Sequence, residues 1–399
     1  MDYSNLQFEL GDQRLVGQQK ARNYLKKILL SQRLGHAYLF SGPPGTGKTA
    51  LALAFAELIN GISNLTDLNQ QAFSKKSSWL NHPDIHLFLP VPTDYNIENF
   101  RERLTLLADD PYEVVDFSHR PSLTDDDSTR NKQAFYPIDF FHEEVRPKAF
   151  LKPNEGRKTV VILTNIETMR KEAANAFLKL LEEPSEDLVF LLTTNSTEAL
   201  LPTIISRCQH IQLSSLSNTT IENALIKYDQ LEPDDAQYLA RVSGGNYAMA
   251  RFFDIDALKE MRLDIVSYLR KAYVQDAVEL TNIAQEWQNQ HNIEGQIALL
   301  NVLETFLRDL LIYRDTGEEH LITNISQIDT IKKFCESLQQ ARLQDMIEQV
   351  NKCRPLLYQY VQPKLVYTVL AFRFSSLMRD RNTEIPQNYN WQHLPAFIQ

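Results

Sequence analysis

The sequence predicts an α/β domain with a parallel sheet, then a small helical domain, then an all-helical C-terminal region. Short apolar runs alternate with segments of helical periodicity as far as about residue 213. Strands that alternate with helices imply a parallel sheet with helical crossovers. The β-branched run Thr159–Leu163 is typical of a strand buried on both faces. Beyond Ser214 the patterns are almost purely helical, so the chain changes fold class there.

The length of 399 residues supports two or three domains, at roughly 150 residues each. We place an α/β domain at 1–213, a helical lid domain at 214–255 and a helical C-terminal domain at 256–399. An insertion at about 61–157 interrupts the first domain. It is acidic, because residues 91–130 hold ten acidic and four basic side chains.

Composition and charge exclude several classes of protein. No apolar run approaches the roughly 18 residues of a membrane span, and no basic leader with an apolar core opens the chain. We therefore expect a cytoplasmic protein without a membrane partner. The three cysteines lie far apart, which excludes a disulfide framework and a four-cysteine zinc module. A net charge of −10 argues against tight DNA binding by this chain alone.

The helices and strands of the first domain follow from periodicity and apolar runs. Helices are predicted at Gln18–Leu34, Ala50–Ile59, Ile97–Leu107, Ile138–Val145 and from about Ala173 to Leu181, before Pro184. Strands are predicted at Ala37–Phe40, Ile85–Leu89, Thr159–Leu163, Leu188–Leu192 and Ile204–Leu213. The helix that begins at Ile138 should stop before Pro147, because a residue that precedes proline disfavours helical backbone angles.

Polar and glycine residues predict further boundaries. The polar stretch Ser122–Gln133 predicts a mobile surface loop. In the lid domain, Ser217 is predicted to cap one helix, Glu232-Pro233 to open a second and Gly244-Gly245 to end it. The C-terminal domain is predicted to contain long amphipathic helices, for example Ile297–Tyr313 and Ile331–Val350.

The pattern Gly42-x-x-x-x-Gly47-Lys48-Thr49 lies between a predicted strand and a predicted helix, as a phosphate-binding loop requires. Its glycines let backbone N–H groups converge on phosphate oxygens at a helix N-terminus, where the dipole favours anions. Lys48 can reach the β- and γ-phosphates, and the Thr49 hydroxyl can ligate Mg²⁺. We predict a site for ATP or ADP, with or without Mg²⁺, formed by Gly42, Pro43, Pro44, Gly45, Thr46, Gly47, Lys48 and Thr49. The alternative is a glycine-rich turn without a ligand.

Hydrolysis needs more than this loop. A P-loop hydrolase needs an acidic residue at the end of a neighbouring strand to hold Mg²⁺. The strand Thr159–Leu163 ends in Thr164-Asn165, which carries no negative charge. Glu167 comes too late and is predicted as a first-turn carboxylate of the following helix. The sequence therefore favours a site that holds a nucleotide without cleaving it.

Three further side chains are candidates for contact with phosphate. Thr194 and Asn195 follow a predicted strand at the edge that faces the nucleotide pocket, where they can contact the γ-phosphate. A turn-forming role for Asn195 is the alternative. Arg207 precedes a predicted apolar strand, and one interpretation is that it is an ordinary surface arginine. The alternative is that its permanently charged, planar guanidinium neutralises charge that develops on a transferred phosphoryl group. No set of side chains predicts a metal ion held by the protein alone.

Several segments, in the same order and spacing, resemble the AAA+ clamp-loader subunits of bacterial DNA polymerase III. They are Leu15–Gln18, the phosphate loop, Lys158–Leu163, Ala174–Pro184, Leu191–Asn195 and Leu201–Cys208. The resemblance covers roughly residues 14–60 and 136–255, and it implies an AAA+ P-loop domain, a lid domain and a helical collar that oligomerises. The implied partners are clamp-loader subunits of the gamma/tau and delta types, a sliding clamp, and primer-template DNA reached through the assembled complex.

Within that family the departures resemble the delta-prime type rather than the gamma/tau motor. The strand-end acids are replaced by Thr164-Asn165, and the lid arginine that senses the γ-phosphate is replaced by Ala248. Arg207 matches the arginine finger that is offered in trans to ATP on a neighbouring subunit. The resemblance thus implies a non-hydrolysing subunit whose catalytic residue, Arg207, serves its neighbour. It also usually implies a four-cysteine zinc module, but no cysteine precedes Cys208, so we expect no zinc.

Three alternatives stay open. An active, gamma/tau-like ATPase would need Glu167 or another acid in place of the missing pair. A DNA-binding initiator or helicase-loading module of the same broad fold should carry a basic recognition helix near its C-terminus, and none is convincing. Nucleotide binding itself can also have been lost, which would leave the phosphate loop as scaffold.

Overall fold

The computed structural model describes residues 15–31, 33–61, 79–117, 120, 134–291, 293–323, 327–359 and 361–379. The chain divides into two compact units, Met1–Phe253 and Asp254–Gln399. The predicted loop Ser122–Gln133 lies outside the described residues. In the described part of the chain, no helix is long and apolar enough to span a membrane.

A parallel sheet organises the first unit. In the described residues its strands are β1 Ala37–Ser41, β2 Ile85–Phe88, β3 Thr159–Leu163, β4 Leu188–Thr194 and β5 Gln209–Gln212. They lie in the order β2-β3-β4-β1-β5, and every neighbouring pair is parallel. The predicted α/β fold with a parallel sheet is therefore confirmed. Because parallel strands share a direction, β1, β3 and β4 end at the same edge.

Helices cover both faces of the sheet. They are α1 Gln19–Ser31, α2 Lys48–Gly61, α3 Ile97–Asp109, α4 Ile138–Phe140, α5 Arg146–Ala149, α6 Lys171–Glu182 and α7 Pro202–Ile205. On one face Phe55 of α2 meets Tyr38 of β1 edge to face, with ring centroids 5.1 Å apart. On the other face Phe177 of α6 meets Phe190 of β4 at the same separation, 5.1 Å. Every residue of β1, β3 and β4 is buried as a result.

The helix that begins at Ile138 does not stop before Pro147, so that prediction is wrong. After α4 a π-helical turn, Phe141–Val145, leads directly into α5. Pro147 lies in the first turn of α5. In the first turn of a helix the backbone N–H groups have no intrahelical partner, so a proline, which has no N–H, is tolerated there. The helical path therefore continues through Pro147.

The predicted strand Ile204–Leu213 is wrong in its first half. The chain forms the helical turn α7 up to Ile205, and β5 begins only at Gln209. The reason is Pro202, whose fixed φ starts a helical turn that the apolar composition of the segment does not reveal. Arg207 consequently lies in the connection between α7 and β5, not inside a strand.

A buried carboxylate anchors the loop that leads into β3. Asp84, just before β2, is 3% exposed and accepts the backbone N–H groups of Asn154–Gly156 at N···O distances of 2.7, 2.8 and 2.6 Å. At the end of α2, Asn60 Oδ1 accepts the next two backbone N–H groups, at 3.1 and 3.0 Å. These bonds set the position at which β3 enters the sheet, and therefore the place where it ends.

The segment predicted as a lid follows the sheet within the first unit. Its helices are α8 Asn218–Asp229, α9 Pro233–Val242 and α10 Tyr247–Phe252. The predicted cap is confirmed, because Ser217 Oγ accepts the N–H of Thr220 at 3.2 Å. The predicted opening of α9 at Glu232-Pro233 and its end before Gly244-Gly245 are confirmed as well.

The second unit is helical throughout its described residues. Its α-helices are α11 Ile255–Val274, α12 Ala277–Gln290, α13 Ile293–Thr316, α14 Ile328–Ser337, α15 Leu343–Tyr358 and α16 Pro363–Met378. Buried Trp287 packs between the rings of Tyr268 and Tyr367, each with its centroid 5.0 Å away. The predicted single helix Ile331–Val350 is wrong, because α14 and α15 are separated by a turn at residues 338–342. The helical spacing of apolar residues continues across that turn, so the sequence pattern alone does not reveal the break.

Candidate nucleotide-binding site

The predicted phosphate loop joins the end of β1 to the start of α2. Gly45 and Gly47 have φ values of 66° and 91°, a left-handed backbone that other residues rarely adopt. The N–H of Gly42 donates to Thr194 O at 3.3 Å, which ties the loop to the end of β4. The loop thereby ends at the first turn of α2, whose N–H groups have no intrahelical partner and favour an anion.

Lys48 is turned onto its own loop. Its Nζ donates to the carbonyl oxygens of Gly42 and Pro43, at 2.8 and 2.6 Å. The side chain is buried, and this burial lowers the pKa of Lys48 to about 8, while the negative charge of Glu167 acts to raise it. A phosphate group that enters the loop offers this ammonium a charged partner in place of two neutral carbonyls.

The strand end beside the loop carries no acid. Thr164 is buried with its Oγ1 3.4 Å from Phe88 O, and Asn165 has a left-handed backbone with φ 47°. The half-buried Thr49 hydroxyl in the first turn of α2 fits an Mg²⁺ ligand, but neither strand-end residue supplies the charge of a second one. The described residues contain no group of three or more His, Cys, Asp or Glu side chains able to hold a metal ion.

Glu167 is not a first-turn residue of α6, so that prediction is wrong. It lies in a separate 3-10 turn, Ile166–Thr168, because the left-handed Asn165 redirects the chain before α6 begins. Its Oε1 accepts the backbone N–H of Asn195 at 3.0 Å. Its Oε2 is buried and has no hydrogen-bond partner among the described residues. One carboxylate therefore does reach the nucleotide edge of the sheet.

Thr194 and Asn195 lie where the sequence places them, at the end of β4 beside the phosphate loop. Thr194 is aligned with Ser41 of β1, the residue immediately before the loop. Its Oγ1 donates to Ser196 O at 2.9 Å and accepts the N–H of the same residue at 3.2 Å. Asn195 Nδ2 is 3.5 Å from Asn165 Oδ1. Thr194 thus makes local turn bonds, Asn195 contacts the residue that follows Thr164 beyond β3, and a role of either side chain at the γ-phosphate stays a prediction.

The lid contacts the phosphate loop directly. The N–H of Tyr247 donates to Gly45 O at 3.2 Å, and Asn246 lies so close to Gly45 that a Cβ there would clash with its side chain. Ala248 lies in the first turn of α10, and Arg251 lies three residues later on the same helix face. Arg251 forms ion pairs with Asp110 and, at 2.8 Å, with Asp229.

Tyr112, from the segment after α3, lies against this loop. Its Oη accepts the N–H of Val16 at 2.7 Å, and a Cβ placed on Gly47 would lie 3.0 Å from that oxygen. Its ring meets the ring of Tyr247 edge to face, with centroids 5.0 Å apart. Burial raises the pKa of Tyr112 far above its ordinary value, so the hydroxyl stays protonated.

Arg207 lies away from the loop of its own chain. Its side chain is 34% exposed, and its guanidinium contacts Glu182 Oε1 at 2.8 Å and Thr203 O at 3.0 Å. Glu182 is the last residue of α6 and is half exposed. The arginine is therefore held in a defined position at the surface by a partner that can release it.

Comparison with known families decides the relationship. The family described as "DNA polymerase III, delta subunit" matches residues 17–116 and 129–217. The family described as "DNA polymerase III, delta subunit, C terminal" matches residues 257–376. The chain belongs to the DNA polymerase III clamp-loader family. The resemblance drawn from the sequence is thereby confirmed.

Two relatives from Bacillus subtilis place this clamp-loader chain within the family. It is 26% identical over 311 residues to the DNA polymerase III subunit delta', covering 76% of this chain and 80% of the relative. It is 22% identical over 396 residues to subunit tau, covering 94% of this chain but only 63% of the relative. Similarity thus extends to both the delta-prime and the gamma/tau types.

Solved structures of similar chains are more distant. A gamma subunit-related protein from Thermotoga maritima matches with a TM-score of 0.39 and 16% identity, over 90% of this chain and 99% of that one. The clamp-loader delta protein of Bacillus subtilis matches with a TM-score of 0.27 and 12% identity, over 89% of this chain.

Two side chains at the site of this clamp-loader chain were missed by reasoning from sequence, and a third was placed in the wrong element. Tyr112 and Arg251 come from an irregular insertion and from the last turn of a short lid helix, where no spacing rule points to the nucleotide. Glu167 was considered and assigned to the wrong element. The left-handed backbone at Asn165 that redirects it has only a weak signal, the tolerance of asparagine for positive φ.

Proposed function

We propose that this chain is a cytoplasmic delta-prime-type subunit of the DNA polymerase III clamp loader. It binds ATP or ADP without hydrolysing it and lends Arg207 to ATP on a neighbouring subunit. One observation carries the proposal: the two residues that follow β3 beside the phosphate loop, Thr164 and Asn165, carry no negative charge, while Arg207 is partly exposed at the surface. A chain with this pattern supports catalysis at a partner's site better than at its own.

The position of Arg207 supports a role in trans. An arginine finger has to be exposed, permanently charged and held near its working position before the partner arrives. Arg207 meets these conditions, because it is partly exposed and its guanidinium is held by an ion pair with half-exposed Glu182. A surface ion pair of this kind is worth at most about 1 kcal/mol, so it can be exchanged for a stronger partner. A developing negative charge on a transferred phosphoryl group is a stronger partner than this carboxylate.

We assign the parts of the subunit as residues 1–213 for the AAA+ P-loop domain, 214–255 for the lid and 256–399 for the collar. The collar would bind sister subunits of the gamma/tau and delta types. Three strongly exposed apolar side chains support this, since Leu263, Val274 and Val278 are 66%, 63% and 70% exposed. Contacts with a sliding clamp and with primer-template DNA would be made by the assembled complex, consistent with the net charge of −10.

The proposal is tested by adding the purified chain to gamma/tau-type and delta-type subunits. We expect a complex that loads a sliding clamp onto primed DNA only when this chain is present. The isolated chain should show no steady-state ATP turnover above that of a Lys48→Ala control. Robust turnover by the isolated chain, abolished by Lys48→Ala, would contradict the non-hydrolysing assignment.

A second candidate function is intrinsic ATPase activity with Glu167 as the substitute acid. The observation that favours it is the buried, unbonded Oε2 of Glu167 at the nucleotide edge of the described sheet. Glu167→Gln separates the two functions, because the amide keeps the size and removes the charge. If Glu167 serves catalysis, turnover by the isolated chain should exist and fall at least tenfold in Glu167→Gln.

A further inference from the structure

Tyr112 fills a cleft between Gly47 of the phosphate loop, the N–H of Val16 and the ring of Tyr247. The phosphates of a nucleotide lie along the loop, so the attached sugar and base must lie next to one end of it. On the side of the loop that faces Gly47, this space is filled by Tyr112. Its hydroxyl oxygen and nearest ring carbons lie 3.0–3.4 Å from the position that a Cβ on Gly47 would take. The side chain is only 7% exposed there.

The cleft has the properties of a pocket for a flat aromatic ring. The backbone N–H of Val16 supplies a hydrogen-bond donor, and the ring of Tyr247 supplies an aromatic wall from the lid. A purine base has ring-nitrogen acceptors and flat faces that suit the same two features. Tyr112 uses both of them now, with its Oη as the acceptor of the Val16 N–H.

A chain of polar contacts fixes Tyr112 to the lid. Its backbone N–H donates to Asp110 Oδ1 at 2.9 Å, and Asp110 forms an ion pair with Arg251 of α10. Arg251 also pairs with Asp229, which accepts the hydroxyl of Tyr247 at 2.7 Å. The ring in the cleft and the lid that covers it are therefore held by one network.

The same segment is held to α3 from the other side. Arg103 is fully buried, donates to Val115 O at 2.7 Å and lies over the ring of Phe117 at 3.9 Å. Residues 110–117 thus form a built element and not a loosely placed loop end. Tyr112 is consequently held in the cleft from two directions.

We propose that Tyr112 is an internal competitor for the nucleoside position, so that a nucleotide binds the phosphate loop only when Tyr112 leaves the cleft. The proposal rests on the proposed function, in which the loop takes ATP or ADP. The apparent affinity for nucleotide is then reduced by the fraction of molecules in which the cleft is free. Because the Tyr112 ring packs against Tyr247 of α10, departure of the ring also releases a contact of the lid.

Calorimetric titration of the 399-residue chain with ADP tests this competition. Tyr112→Ala is expected to bind ADP at least about tenfold more tightly than the wild-type chain. Inorganic pyrophosphate has no base, so its affinity should change far less in the same variant. Adding Lys48→Ala to Tyr112→Ala should remove the gain, which would show that the nucleotide uses the phosphate loop.

Glu113→Gln is the matched control, because Glu113 follows Tyr112 and its side chain pairs with Arg120 at 2.6 Å, not with the cleft. It should bind ADP like the wild-type chain. If circular dichroism shows that Tyr112→Ala is poorly folded, Arg251→Gln takes its place. This variant removes the ion pair of Arg251 with Asp110, which holds the Tyr112 backbone, keeps the Tyr112 ring, and should also bind ADP more tightly than the wild-type chain. Equal or weaker ADP binding in a folded Tyr112→Ala chain, or in Arg251→Gln as its substitute, would overturn the proposal. Since this test uses the isolated chain and ADP, its failure leaves the trans role of Arg207 to be judged separately.

Discussion

Replacing Arg207 with alanine is expected to remove hydrolysis at one ATP site of the assembled clamp loader while the complex still forms. An arginine finger contributes on the order of 10³ to 10⁵ in rate where it has been removed from comparable phosphoryl-transfer sites. Among the described residues, the Arg207 side chain makes surface contacts with Glu182 and Thr203 O, so its loss should leave the fold intact.

Rapid-quench measurement of ATP hydrolysis in the reconstituted complex resolves this effect. The burst should lose the equivalent of one ATP per complex with Arg207→Ala. Arg157→Ala is a suitable control, because Arg157 is also exposed on the first unit and does not lie in the connection that leads into β5. A burst of unchanged size with Arg207→Ala would remove the finger role.

Replacing Asp84 is expected to produce the largest loss of stability in the first unit. Its carboxylate accepts three backbone N–H groups in a nearly inaccessible position. Removing the acceptor leaves buried donors unsatisfied, at a cost of about 1–3 kcal/mol for each donor that water cannot reach. Asp84→Ala should therefore lower the free energy of unfolding by about 3 kcal/mol or more.

The contribution of Asp84 should depend on pH in a defined direction. Burial acts to raise the pKa of Asp84, but the three N–H bonds and the nearby His82 lower it, and the net result is a pKa below the ordinary value. A carboxyl whose folded pKa is depressed stabilises the protein above its unfolded pKa of about 3.9. That stabilisation is lost as the pH falls through the folded pKa.

Urea unfolding of wild type, Asp84→Ala and Asp84→Asn between pH 3 and pH 8 checks both statements. The difference in unfolding free energy should be constant from about pH 5 upward and shrink below about pH 4. Asp187→Asn is the control, because the Asp187 side chain is 47% exposed and forms a 3.5 Å surface pair with Lys158. A difference for Asp84→Asn as small as the control's would contradict the anchoring role.

The fold could be predicted from the sequence wherever apolar patterning and tertiary burial agree. The run Thr159–Leu163 is β-branched and is buried along its whole length, so its pattern and its environment give the same assignment. The phosphate loop could be predicted equally well from the sequence, because phosphate binding requires glycines at a fixed spacing before a helix.

The remaining features depend on geometry that spacing does not encode. Pro147 continues a helical path because a π-helical turn precedes it, and Ile204 belongs to a helical turn in spite of its preference for strands. Glu167 and Tyr112 reach the nucleotide edge through a left-handed residue and a non-local contact with Val16. Such contacts join residues far apart in the chain, and local propensity carries no information about them.

The central claim is that this chain supports a neighbour's hydrolysis without performing its own. The most direct measurement is the same rapid-quench burst with Lys48→Ala in this chain alone. Lys48 is the phosphate-loop lysine, so any hydrolysis at this chain's own site must require it. We predict that Lys48→Ala leaves the burst at the wild-type number of ATP molecules per complex, while Arg207→Ala removes one. The loss of one ATP equivalent with Lys48→Ala would contradict the account.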